Sequence, residues 1–183
     1  MAKRHVRKHI MDKIHSSVLL SEPYDHKFVE NVFPSDYYQE LLENIPSKSE
    51  YIPIIETGSV SPMYSPERFI FNLLDKKLIE KLNENKKNFF NNLLKIFLSD
   101  ELFSSVTSQF SKTIDSRLAN LSDAEKEKLG TSDYRFYFRS ALIKDFTKYS
   151  LGAHTDNISK FVTFLFYIPA NESLKNVGTS IYK

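Results

Sequence analysis

The sequence contains no cysteine and no tryptophan, and only four of its 183 residues are glycine. Without cysteine the chain cannot form disulfides, thiolate metal sites or a cysteine nucleophile, so a disulfide-stapled secreted module is excluded. No apolar run approaches the ~18 residues that a membrane-spanning helix requires. The basic start of the chain also lacks the apolar stretch of a secretory signal. We therefore predict a soluble, cytoplasmic protein that does not associate with membranes.

Neither sign of charge predominates, since 25 basic and 23 acidic residues leave a formal charge of +2. This near-balance predicts no nucleic-acid partner. Apolar residues make up 41% of the chain and aromatic residues 14%, which is enough for a packed core. We expect one globular domain over residues 21–183.

The first 20 residues are the exception to this balance, because five of the first 13 are lysine or arginine. We interpret residues 1–20 as a solvated basic arm. Two alternatives stay open for it. His5 and His9 could share a helix face as a metal pair, although no carboxylate or third ligand accompanies them. The arm could also bind nucleic acid, although no recognised motif supports that.

Helical patterns come first along the chain and strand patterns come last. A helix is predicted to begin at Pro34-Ser35-Asp36, and another over residues 73–98, where the segment NENKKN breaks the pattern in two. Ser122 and Glu125 form a capping box for a short helix that Gly130 ends. This order predicts an α+β fold. Strands are predicted over residues 24–33, 134–146, 161–168 and 178–182.

The most informative segment is YSLGAHTD, residues 149–156, which precedes the apolar segment FVTFLFYI. Side chains alternate along an extended chain, so His154 and Asp156 are expected to point the same way. One imidazole and one carboxylate can take adjacent positions on a metal ion, and a third ligand completes the facial triad of non-heme Fe(II) sites. A lone His-x-Asp motif is weak evidence, because a hydrogen-bonded surface histidine is the commoner explanation.

The segments around this motif resemble the prolyl-hydroxylase-like 2-oxoglutarate/Fe(II) oxygenases. YSLGAHTD is similar to their first-ligand strand, and FVTFLFYIP is similar to the strand that follows it. GTSIY resembles the next strand entry, and YDHKFVENVFPSDYYQELLENIP resembles their entry segment. The resemblance implies N-terminal helices that support a double-stranded β-helix (jelly roll).

The resemblance also implies a function. It makes His154 and Asp156 ligands of Fe(II), and it places Tyr167, and less strongly Tyr149, beside the cosubstrate 2-oxoglutarate. The implied reaction couples oxidative decarboxylation of 2-oxoglutarate to hydroxylation of a substrate C–H bond. The substrate is not specified and can be a peptide side chain, a sugar or a small metabolite. A core position is an equal alternative for Tyr167.

The sequence departs from this family in one respect. The family requires a second histidine after the first motif and then an arginine that pairs with the distal carboxylate of 2-oxoglutarate. No histidine follows His154 and no arginine follows Arg139. We therefore expect a jelly roll that is incomplete at its C-terminus and a chain that is inactive by itself. An inactive remnant that serves as a binding module is the alternative, and His26 is an upstream candidate for the third ligand.

Overall fold

A computed structural model describes residues 2–61, 65–129, 137–145 and 159–169, together with residues 154, 156, 157, 171 and 173. Among these residues, helices predominate and one small antiparallel sheet is present, so the predicted α+β class is confirmed. The chain divides into two compact units, one formed by residues 1–38, 99–136 and 153–183 and the other by residues 39–98 and 137–152. The helices are α1 Ala2–Ser16, α2 Ser35–Asn44, α3 Lys76–Glu80, α4 Glu84–Phe97, α5 Asp100–Gln109, α6 Ser111–Ala119 and α7 Asp123–Leu129, and the strands are β1 Ile52–Pro53, β2 Arg68–Asn72 and β3 Ala141–Asp145.

In the first unit, α1 packs against α5. Val6, Ile10 and Ile14 recur at a spacing of four along α1, and all three are buried. Burial of one such side chain contributes roughly 1.5–3 kcal/mol, which is enough to hold a charged helix against the core. Arg7 adds an ion pair with Glu101 of α5 at 3.0 Å. Residues 2–16 are therefore a packed helix and not a solvated arm. The high charge of the segment suggested solvation, but one face of the helix is apolar and buried.

The turn after α1 also belongs to the first unit. The Lys27 ammonium donates hydrogen bonds to the carbonyls of Ile14 and Ser17 at 2.9 and 3.0 Å, and it also donates to the Gln109 side chain. These bonds satisfy carbonyl groups that the end of α1 leaves without intrahelical partners. The expected strand over residues 24–33 is not found, since the β contact in this described stretch is one isolated bridge between Leu20 and His26.

In the second unit, β2 is the central strand of the order β1-β2-β3, and both pairings are antiparallel. Phe71 of β2 and Phe90 of α4 are almost fully buried, with their ring centroids 6.4 Å apart. The helical pattern is broken in two as predicted, but the break lies at residues 81–83, and all of NENKKN except its first residue belongs to α4. The α3 helix ends at Glu80, and α4 begins after Asn83, whose side chain accepts a hydrogen bond from the Lys86 backbone N–H at 3.0 Å.

The capping box of α7 is confirmed, because the Ser122 hydroxyl accepts from the Glu125 N–H at 3.3 Å and the Glu125 carboxylate accepts from the Ser122 N–H at 2.7 Å. The predicted strand over 134–146 is present in part as β3. The predicted strand over 161–168 is not found, because these residues form no β-ladder with any residue that the structure describes. Gly130 and the predicted strand over 178–182 lie outside the described residues.

Candidate metal centre

The described residues that follow Asp156 include a tight turn that directs the chain back toward this carboxylate. The Asn157 side-chain oxygen accepts hydrogen bonds from the N–H and the hydroxyl of Ser159 at 3.0 and 2.9 Å. The Lys160 N–H donates to the Asn157 carbonyl at 2.9 Å. Asparagine favours such turns because its short amide reaches the backbone two residues ahead. The turn brings Lys160 and Thr163 to Asp156.

Both carboxylate oxygens of Asp156 accept hydrogen bonds. The Lys160 ammonium lies 2.7 Å from Oδ1, and the Thr163 hydroxyl donates to Oδ2 at 3.1 Å. The hydrogen bond from Lys160 is the main cause that lowers the pKa of Asp156, and partial burial opposes it. Asp156 is therefore ionised at neutral pH and already holds one cation.

His154 lies two residues before this carboxylate, and its side chain is exposed. It is near enough that its charge contributes to the lowered pKa of Asp156. The two predicted metal ligands thus lie within electrostatic range of each other in the first unit, and both are exposed. Neutral imidazole nitrogen and carboxylate oxygen are donors that Fe(II) accepts.

A residue from a distant part of the sequence supports the same turn. Arg117 of α6 donates from Nη1 to the Lys160 carbonyl at 2.7 Å, and its guanidinium lies 4.8 Å from the centre of the Phe161 ring. Sequence reasoning identified none of Arg117, Lys160 and Thr163. The spacing of four between Asp156 and Lys160 was a usable signal, whereas nothing local in the sequence connects Arg117 to this turn.

Asp156 also lines an open groove of about 820 Å³, and four residues of α6 contribute to the lining of this groove. Asp25 lines the same groove, and hydrogen bonds from Thr113 and then Ser21 lower its pKa. The groove therefore contains ionised carboxylates beside the cations Lys112 and Arg117. It offers a mixed-charge surface next to the His154–Asp156 pair.

Tyr167, Tyr149 and His26 are the other residues that the sequence suggests for the site. The side chain of Tyr167 is 50% exposed, so the alternative of a core tyrosine is not what the structure shows. Tyr149 lies outside the described residues. The Nδ1 atom of His26 lies 2.8 Å from the carbonyl oxygen of Tyr24. Asp145 pairs with Arg68 at 3.6 Å in the second unit.

The donor set fits a metal ion in part. His154 and Asp156 supply two ligands of suitable chemistry, and the Lys160 ammonium demonstrates that the Asp156 carboxylate accepts a positive charge. No group of three or more potential metal-binding side chains occurs within the part of the chain that the structure describes. A facial triad needs three ligands, so His154 and Asp156 by themselves do not form one.

Comparison with known proteins adds no relative. No protein-family model, curated protein or solved structure matches the chain. Among the described helices, none combines the length and the apolar character that crossing a bilayer requires.

Proposed function

We propose that the chain is part of a non-heme Fe(II) oxygenase that couples oxidative decarboxylation of 2-oxoglutarate to hydroxylation of a substrate C–H bond. The observation that carries this proposal is the exposed pairing of His154 with an ionised Asp156 carboxylate that already holds a cation. The resemblance of YSLGAHTD and FVTFLFYIP to the first-ligand region of that oxygenase family supports the same chemistry.

Each of these residues has a defined task in this proposal. Fe(II), with 2-oxoglutarate and O₂, supplies the oxidising chemistry when it is bound. His154 and Asp156 would supply two ligands to the ion, and a third protein ligand and the cosubstrate would complete its coordination. The half-exposed Tyr167 would donate a hydrogen bond from its hydroxyl to a carboxylate of 2-oxoglutarate. The family resemblance assigns Tyr149 to the same cosubstrate.

The proposal includes the jelly roll as the finer fold. Residues 161–168 form no β-ladder among the described residues, but the apolar composition of this segment suits a position between the two layers of such a sandwich. Phe164, Leu165 and Tyr167 are 41%, 61% and 50% exposed, so each has surface that strand pairing and a second layer would cover. The helices of the first unit support this layer from one side.

A second candidate function is a binding module without turnover. Both oxygens of Asp156 already accept hydrogen bonds, from Lys160 and from Thr163, and the described residues supply no third ligand. In this alternative the His154–Asp156 turn is a structural remnant of an oxygenase site. The oxygenase requires that the pair bind a divalent ion and that 2-oxoglutarate be turned over, whereas the binding module requires no turnover.

Metal titration distinguishes the two candidates. Mn(II) is titrated anaerobically into the full chain as a redox-inert substitute for Fe(II), with free Mn(II) measured by electron paramagnetic resonance. We expect one site whose affinity falls about tenfold or more in His154→Ala and in Asp156→Asn, because each change removes a ligand. His15→Ala, which removes an exposed histidine of α1, is the matched control and should leave the affinity unchanged. Identical titrations for all four proteins would contradict the oxygenase proposal.

Turnover provides the second arm of the test. In a protein completed with a third iron ligand and an arginine for the cosubstrate, succinate should form only when Fe(II), O₂ and 2-oxoglutarate are all present. The chain by itself should form none. Tyr167→Phe should raise the apparent KM for 2-oxoglutarate about two- to tenfold, which is the effect of one lost hydrogen bond. Metal binding at His154 and Asp156 without any succinate from the completed protein would favour the binding module.

A further inference from the structure

The backbone of Lys160 is hydrogen-bonded on both sides of its Cα atom. Its N–H donates to the Asn157 carbonyl at 2.9 Å, and its carbonyl accepts from Arg117 at 2.7 Å. The guanidinium of Arg117 is itself held over the neighbouring Phe161 ring. Because the backbone of Lys160 is held from two directions, only the side-chain torsions need to be ordered for the ammonium to contact Asp156.

The Lys160 ammonium occupies the position beside Asp156 Oδ1 that a bound metal ion would take. The ammonium lies 2.7 Å from Oδ1 of Asp156. A carboxylate-bound divalent transition metal lies about 2.0–2.2 Å from its oxygen, so ion and ammonium cannot both occupy Oδ1 in this geometry. A carboxylate has about four lone-pair sites, so the hydrogen bond from Thr163 to Oδ2 can persist beside a metal. The Lys160 ammonium cannot stay beside a metal ion on Asp156, because the two positive charges repel each other at this distance.

We propose that Lys160 is an internal competitor for the metal site: its ammonium holds the Asp156 carboxylate when no metal is bound, and a divalent ion must displace it. This inference rests on the proposed function, in which Asp156 is a metal ligand. Lys160 is then a positioning residue that keeps the carboxylate in place in the metal-free protein and sets how tightly the ion binds. Arg117 contributes by holding the turn that carries Lys160.

The size of the effect follows from the exposure of the pair. The side chains of Lys160 and Asp156 are 46% and 41% exposed, so water screens their attraction. Exposed ion pairs of this kind change an equilibrium by about two- to fivefold. Removal of the ammonium should therefore tighten metal binding by about that factor, and it should do so without any change in the ligands.

The experiment compares Mn(II) dissociation constants of the full chain and its variants by electron paramagnetic resonance. Lys160→Met should bind Mn(II) about two- to fivefold more tightly than the unmodified chain, and Lys160→Arg, which keeps the charge, should remain close to it. The matched control is Lys8→Met. It removes the same charge and breaks the Lys8–Asp12 pair, which has the same spacing of four and lies in α1. Its affinity for Mn(II) should not change.

The outcomes separate this inference from the proposed function. If Lys160→Met binds Mn(II) no more tightly than the unmodified chain while Asp156→Asn still weakens binding, Lys160 does not compete with the metal. The metal site itself would then remain supported. Equal tightening in Lys160→Met and Lys8→Met also overturns the competition, because net charge would then explain the effect. Absence of Mn(II) binding in every protein overturns the proposed function and this inference with it. Lys160→Gln replaces the methionine variant if that variant does not melt as a folded protein.

Discussion

The hydroxyl of Tyr38 donates a hydrogen bond of 2.8 Å to the carbonyl oxygen of Pro169, which lies 131 residues further along the chain. Close to it, the rings of Phe33 and Phe166 lie 5.5 Å apart. Burial raises the pKa of Tyr38, so its hydroxyl stays protonated and able to donate throughout the neutral range. These two contacts hold residues 166–169, which follow the candidate metal centre, against Phe33 and the start of α2.

The first prediction concerns this hydrogen bond. Tyr38→Phe removes the donor and keeps the ring, so we expect a loss of about 0.5–1.5 kcal/mol in the free energy of unfolding. Because the lost bond anchors Pro169, amide exchange should become faster over residues 161–169 in particular. Chemical denaturation and hydrogen exchange with mass spectrometry measure the two effects. Tyr137→Phe is the control, since the Tyr137 side chain is 76% exposed and should change neither.

The second prediction concerns the pairing of Glu50 with Lys86 in the second unit, at 2.9 Å. Burial raises the pKa of Glu50, but hydrogen bonds from Lys86 and from Ser47 outweigh it, so the pKa lies below the ordinary glutamate value of 4.5. A lowered carboxyl pKa contributes stability that is fully present above pH 4.5 and is lost as the pH falls through the folded-state value. Glu50→Gln should therefore cost about 1–2 kcal/mol at pH 7.

The pH dependence is the sharper part of that prediction. The difference in unfolding free energy between the unmodified chain and Glu50→Gln should shrink steadily below pH 4.5, because both proteins then lack the charge. Urea unfolding at a series of pH values measures it. Glu84→Gln serves as the control. Its partners are Lys87 and Asn88, its side chain is 72% exposed, and its cost should stay within about 0.5 kcal/mol. A difference that is independent of pH would mean that packing, and not charge, is what Glu50 contributes.

Local signals in the sequence predicted local structure well. The capping box at Ser122 and the break before α4 involve residues within four positions of one another, so their hydrogen bonds depend little on the rest of the fold. The same holds for the start of α2 at Ser35. The His154–Asp156 pair was recognisable for the same reason, because a spacing of two needs no tertiary information.

The features that sequence reasoning missed depend on distant partners. The apolar stripe of α1 is visible only when its charges are set aside, and its burial depends on α5. Strand β2 pairs with β3, whose residues are some 70 positions away, and its sequence RFIFN lies beside a stronger helical pattern. Arg117 meets Lys160 across 43 residues. No periodicity within a short window encodes such a contact.

The last prediction concerns the exposed apolar segment after the metal centre. Phe164, Leu165 and Tyr167 are each more than two-fifths exposed, and the rings of Phe164 and Phe166 stack at 6.0 Å. An apolar, β-prone stretch with accessible backbone is a recognised site of self-association. We expect the full chain to associate as its concentration rises, which sedimentation velocity measures, and Leu165→Lys to shift that association to higher concentration because it places a charge in the contact.

A matched variant tests whether this segment is responsible. Val18 is also apolar and is 71% exposed, but it lies in the turn after α1. Val18→Lys introduces the same charge elsewhere in the first unit and should leave the association unchanged. If both substitutions reduce association equally, net charge and not residues 161–168 controls it. The unmodified chain could instead remain monomeric at high concentration, with neither substitution changing its behaviour. These apolar side chains would then be tolerated in water, and the proposal that they belong inside a jelly roll would lose its physical support.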